Sequence, residues 1–193
     1  MTIEQLVARW ESVRDTFYDG RNDLDRAEIF AAQLLVWIGI APERLIAFEE
    51  LVGDDMTSWL LDLVSSLVGA NRVDEAIKWC GSLAPLGNAE MFLGDQVTIL
   101  SEAGRNEEAI TAAEALLKRF PDHAWCHVFA ADAFRRAGDD PRAEGAYLRA
   151  LELDPTDQFT VEGVLERLVP WLNRLGRLDE ARRIASRARS RLG

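Results

Sequence analysis

The stretch that decides the fold is Gly104-Arg105-Asn106-Glu107-Glu108-Ala109, because near-copies of it occur three more times. They are Asn71-Arg72-Val73-Asp74-Glu75-Ala76, Gly138-Asp139-Asp140-Pro141-Arg142-Ala143 and Gly176-Arg177-Leu178-Asp179-Glu180-Ala181, their alanines spaced 33, 34 and 38 residues apart. Gly104, Gly138 and Gly176 can take the positive φ that ends a helix. Asn106 and Asp179 are placed to accept from free amides at the start of the next helix. Pro141 fits a first helical turn, where the missing N–H costs nothing. The alanine five residues after each glycine is small enough for two helices to approach closely. Phe120-Pro121-Asp122 and Leu153-Asp154-Pro155 place prolines 34 apart, where they end the second helix of a unit.

Each unit is therefore helix, tight turn, helix, break. Such a hairpin cannot bury its apolar face alone and must stack on neighbours. Helical periodicity runs along the whole chain, and no alternating β-branched run suggests a strand.

This pattern resembles the tetratricopeptide repeat family. With Ala124 as position 1, the small residue at position 8 is Ala131, the aromatic at 11 is Phe134 and the small residue at 20 is Ala143. Tyr147 stands at 24, Ala150 at 27 and Pro155 at 32. The unit from Glu90 keeps Leu93, Leu100, Ala109 and Pro121. The unit from about Thr57 keeps Leu60, Leu67 and Ala76, with Cys80 at 24. The last unit carries Ala181, Ala185 and Ala188, but Pro170 falls within its first helix, which is expected to be kinked or lengthened. The resemblance implies an all-α, right-handed α-solenoid of helix-turn-helix repeats. The expected organisation is a helical cap over 1–55, open to reading as a degenerate repeat, and four hairpins at about 57–89, 90–123, 124–157 and 158–193.

Within 1–55, Thr2–Phe17 and Leu24–Ile38 read as helices flanking Asp19–Asp23, and Pro42-Glu43-Arg44 opens a third ending near Gly53. The segment Phe30–Ile38 is apolar nearly all round, which predicts burial on most sides or, alternatively, a homodimer face.

The 193 residues carry 22 Lys+Arg against 33 Asp+Glu, a net charge of −11, with 48% hydrophobic and 28% charged residues. That composition is globular. The acidity disfavours a nucleic-acid wrapper. The charge is uneven. Residues 171–193 hold seven arginines against Asp179 and Glu180, a surplus of five positive charges, which leaves −16 over residues 1–170. A basic terminal helix suits the polar outer face of an end repeat, or an acidic partner. Two cysteines make no disulfide scaffold, the start lacks a signal-peptide pattern, and no apolar run is long enough for a bilayer. The expectation is a cytoplasmic, bacterial protein, the arginine-for-lysine bias hinting at a GC-rich genome.

Catalysis is not expected. Both histidines lie in His123-Ala124-Trp125-Cys126-His127. His123, Cys126 and His127 offer zinc-type ligands, but Cys126 falls at an inward position, expected to point away from the histidines, and no Glu adjoins the first His as in a helical zinc hydrolase. No cofactor is expected.

The resemblance implies that first helices line a concave groove that holds a partner peptide or helix. Its groove positions map to Ser58, Leu61, Ser65 and Val68; to Met91, Gly94, Thr98, Ser101 and Glu102; and to Trp125, Val128, Asp132, Arg135 and Arg136. Glu166, Asn173 and Arg174 form a fourth set. Trp125 and Met91 are apolar anchors or simply inter-repeat packing, and Arg135 and Arg136 are suited to carboxylates. The family's carboxylate clamp is absent, since Leu61, Ser65 and Asp95 stand where Lys, Asn and Asn would be. The expected function is a non-catalytic protein-interaction module. The alternatives are a small acidic chaperone of a bacterial secretion system and, less favoured, a metal site at His123, Cys126 and His127.

Overall fold

The computed structural model describes residues 1–18, 23–39, 41 and 43–192. Residues 19–22, part of the expected first inter-helix loop, and Pro42 lie outside the described residues. Eleven α-helices and one 3-10 turn account for the described secondary structure: α1 Ile3–Tyr18, α2 Leu24–Ile38, α3 Glu43–Val52, α4 Met56–Gly69, α5 Val73–Leu83, the turn Ala84–Leu86, α6 Ala89–Glu102, α7 Asn106–Arg119, α8 Ala124–Arg136, α9 Asp140–Leu153, α10 Gln158–Arg174 and α11 Leu178–Arg189. The fold is all-α, and no strand occurs among the described residues.

The chain divides into two compact units, Met1–Phe92 and Leu93–Gly193, with the boundary inside α6. In the first, α1, α2 and α3 pack on one another and α2 packs on α4. Trp10, Phe30 and Trp59 lie at its centre, with ring centroids 5.0–5.5 Å apart. In the second, α7 packs on α8, α8 on α9, α9 on α10 and α10 on α11.

The four recurring strings make one turn. Asn71, Gly104, Gly138 and Gly176 all have φ between 63° and 80°. The next residue's amide reaches back to a carbonyl near the end of the preceding helix: Arg72 to Leu67, Arg105 to Leu100, Asp139 to Phe134 and Arg177 to Leu172, at 2.8–2.9 Å. This is a Schellman closure. The alanines that follow, Ala76, Ala109, Ala143 and Ala181, are buried, as the close approach of two helices requires.

Two local expectations need correction. Asn106 and Asp179 are not N-caps. Arg105 and Arg177 hold those positions and make no side-chain cap bond. Side-chain caps come instead from Asp23, Asp55, Asp139 and Asp157, each accepting from the amide three residues on, as Thr2 does ahead of α1. The arginines turn elsewhere: Arg72 pairs with Glu75, Arg105 with Glu108 and Arg177 with Glu180. Arg72 also reaches Glu28 on α2, and Arg177 reaches Glu144 on α9, both at 2.6 Å. Arg142, three residues after the Asp139 cap, reaches Glu114 on α7 at 2.6 Å. The string thus supplies a cross-link to an earlier helix as well as a turn.

The second correction concerns Phe30–Ile38. Phe30, Ala31, Leu34 and Ile38 are buried, but Val36 is 84% exposed. The cause is geometric: α1, α3 and α4 cover one side of α2, and no described residue covers Val36 on the other. α10 runs through Pro170 for 17 residues, against 14 in α6 and 13 in α8, the lengthening expected of a first helix with a tolerated internal proline.

Candidate protein-binding face

The groove positions of the second unit lie on α6 and α8, and α10 packs beside α8. Close approach between these first helices depends on two glycines. A Cβ on Gly94 of α6 would stand 2.2 Å from the Phe129 ring of α8. A Cβ on Gly163 of α10 would stand 3.0 Å from the Trp125 ring. Each glycine is a socket for an aromatic side chain one helix away. Trp125 is therefore half-buried, and one edge of its indole belongs to helix packing. Its contact with Phe159 lies at the surface. Phe159, 71% exposed, lies with its centroid 5.0 Å from Trp125, Phe129 lies at 6.0 Å, and the Arg167 guanidinium sits 5.6 Å over the indole.

Beside the aromatics lies a polar network centred on Asp132. The Tyr147 hydroxyl donates to its carboxylate at 2.5 Å, Arg167 Nε at 3.0 Å and Arg135 at 3.2 Å. The three donors come from α9, α10 and α8, so one carboxylate ties three helices. Burial, and then the Asp132 charge, push the Tyr147 phenol well above its ordinary range, so it stays protonated and donating. Arg136 donates to Glu102 of α6 at 3.0 Å, one repeat away. Asp95 on α6 has no hydrogen bond or ion pair among the described residues, and burial pushes its carboxyl up to about 6.

The remaining positions divide by exposure. Thr98 is half-buried and its hydroxyl donates to the Gly94 carbonyl at 3.1 Å. Val128 is fully buried, and Ser101 nearly so with its hydroxyl unpartnered among the described residues; both lie within the helix packing and offer no surface. Leu61, half-buried, Ser65, exposed, and Met91, 39% exposed, belong to the first unit, where Leu61 and Ser65 stand one turn apart on α4. Sequence reasoning missed Phe159, Arg167 and the two glycine sockets. A signal existed: Trp125 and Phe159 stand 34 residues apart, the repeat period.

The histidine cluster also differs from expectation. Cys126 does not turn away from both histidines. Its Sγ lies 3.6 Å from His123 Nδ1, because His123 caps α8 and its ring folds back over the first turn. His127 instead contacts the Pro121 carbonyl at 2.7 Å. Among the described residues, no three His, Cys, Asp or Glu side chains are close enough to hold a metal ion.

Residues 95–158, spanning α6 to α9 and the start of α10, match the family described as Tetratricopeptide repeat. Residues 95–158 are thus a tetratricopeptide-repeat segment. The fold of the chain is similar to that of a structure titled "MamA RS-1 ArsTM double mutant", with a TM-score of 0.59 at 14% identity, covering 98% of this chain and 96% of that one. A second, "MamA 41-end from Desulfovibrio magneticus RS-1", gives 0.52 at 15% identity over 87% of this chain and 94% of that one. At such identities the likeness is one of fold. No curated protein matches the chain in sequence. The tetratricopeptide-repeat segment and the all-α fold around it have the general architecture of a protein-interaction scaffold. No helix among the described residues is long and apolar enough to cross a membrane.

Proposed function

We propose that this protein is a non-catalytic interaction module whose α6–α8–α10 face holds a segment of a protein partner. The observation that carries the reading is Phe159, a large aromatic left 71% exposed beside Trp125 and Arg167. Exposed aromatics and arginines on a rigid scaffold are the commonest anchors of protein interfaces. Trp125 and Phe159 form the apolar anchor, and the Arg136–Glu102 pair and Arg135 form a polar flank. Both cysteines, Cys80 and Cys126, are buried, and the setting is read as cytoplasmic. The four helix pairs from α4 to α11 serve as the repeats, and α1–α3 as the cap.

The test is a random peptide-display library panned on the full chain. Enriched peptides should lose at least tenfold in affinity with Phe159→Ser, whose exposed side chain leaves the fold intact, and again with Arg136→Glu. Enrichment indifferent to both substitutions refutes this face.

A further inference from the structure

The outer side of α2 carries an apolar ridge. Ile29, Ala32 and Val36 follow one another at three- and four-residue steps and form one stripe. Ile29 is 59% exposed and Val36 84%. The ridge is bordered by two furrows. One, of about 600 Å³, lies between α2 and α5 and is lined by Leu35 and Trp79. The other, of about 880 Å³, lies toward α1 and α3 and is lined by Ala8 and Trp37. Ala32 and Val36 line both. A ridge with a furrow on each side is the shape that packs against a copy of itself, since each ridge enters the other's furrow.

The charges select the same occupant. The furrow toward α5 carries Asp25, Glu28 and Glu75 at the N-terminal end of α2, with Arg72 paired to all three and Lys78 beside them. Three carboxylates against those two cations leave that end negative. The furrow toward α1 carries Arg9 and Arg44 and, among its described lining residues, no carboxylate. Arg9 donates to the neutral Gln33 side chain, and Arg44 donates to the Trp37 carbonyl at 2.8 Å. Arg44, held at the Trp37 carbonyl, lies about 16 Å along the helix from Asp25 and Glu28 at 1.5 Å rise per residue. A foreign partner would need the opposite polarity, basic at one end and acidic at the other. A second copy lying antiparallel presents that polarity by symmetry.

We propose that two copies of this chain associate through α2, crossing antiparallel near Ala32 about a two-fold axis, with Val36 of each seated in the furrow between α2 and α5 of the other. This interface is independent of the α6–α8–α10 face, and its success or failure leaves that reading untouched.

The test is sedimentation equilibrium of the full chain at micromolar concentration. The wild type should run as a dimer. Val36→Glu should run as a monomer with unchanged helical circular dichroism, because Val36 faces solvent in the single chain. Arg44→Glu should weaken the dimer at least tenfold, and adding Asp25→Arg in the same chain should restore it. Ala32→Cys should give a covalent dimer on mild oxidation, lost when Val36→Glu is added. A monomeric wild type overturns the proposal, as does a Val36→Glu dimer of undiminished affinity. A charge reversal that Asp25→Arg does not repair overturns the antiparallel arrangement.

Discussion

Gly94→Ala and Gly145→Ala are the same substitution in two helices and should have opposite signs. Both glycines sit inside a helix, Gly94 in α6 and Gly145 in α9, away from any positive φ. Alanine is the better helix former by about 1 kcal/mol. At Gly145 nothing lies within 4 Å of the added Cβ, so the full helical gain of about 0.5–1 kcal/mol is expected. At Gly94 the Cβ lands 2.2 and 2.3 Å from two Phe129 ring atoms and 2.9 Å from its Cγ. Because Cγ lies on the ring's rotation axis, rotating the ring about that axis leaves the 2.9 Å contact in place. Phe129 must leave its rotamer or α8 must move away from α6. Overpacking of this kind costs about 1–3 kcal/mol, which outweighs the propensity gain. At mid-range, a cost of about 2 kcal/mol less a gain of about 1 kcal/mol leaves a net loss of about 1 kcal/mol. Urea unfolding followed by circular dichroism at constant slope reads the difference, and at this length each 1 kcal/mol moves the melting temperature by about 2–4 °C. The cost should vanish in a Phe129→Ala background, where the socket has no occupant. A Gly94→Ala protein as stable as the wild type, or a cost undiminished without Phe129, refutes the socket.

Asp95→Asn should stabilise the protein at pH 7. Burial raises the folded-state carboxyl to about 6, above its unfolded value, so the native state binds the proton more tightly. The penalty grows as pH rises between about 4 and 6 and is full above that, so the gain should be about 1–2 kcal/mol at pH 7 and near zero at pH 4 in a pH series of urea midpoints. Asp132→Ala should cost about 2 kcal/mol, because it removes the acceptor of the buried Tyr147 hydroxyl and one acceptor each of Arg135 and Arg167. Asp132→Asn should lose less, since its amide oxygen still accepts from Tyr147, and the same urea titration distinguishes them.

The repeat was legible because its signals are local. Gly104, Gly138 and Gly176 end helices through a backbone conformation that glycine adopts at no cost, and Ala109, Ala143 and Ala181 permit close packing at a fixed distance from that turn. Asn71 filled the same role without being glycine, and the period alone revealed it. Caps were less legible. Asn106 reads as a cap by residue type, but the Schellman closure at Gly104 starts α7 at Asn106 itself and leaves the cap position to Arg105. The candidate face was legible only by position. The period placed Trp125, Arg135 and Arg136 on first helices, but it also nominated Val128 and Ser101, which are buried. A 34-residue period has no means of telling which flank of α8 is taken by α6 and α10.

The sequence by itself therefore determined the hairpin, its turn and its period, since these follow from backbone freedom and side-chain size within a few residues. Only the tertiary structure decided which side chains remain exposed. Exposure depends on neighbours contributed from distant parts of the chain: Phe129 seated over Gly94, Trp125 over Gly163, and three helices packed on one side of α2 with Val36 left on the other. The working surfaces of a helical-repeat protein are what stacking leaves uncovered, and that remainder is fixed by packing between helices.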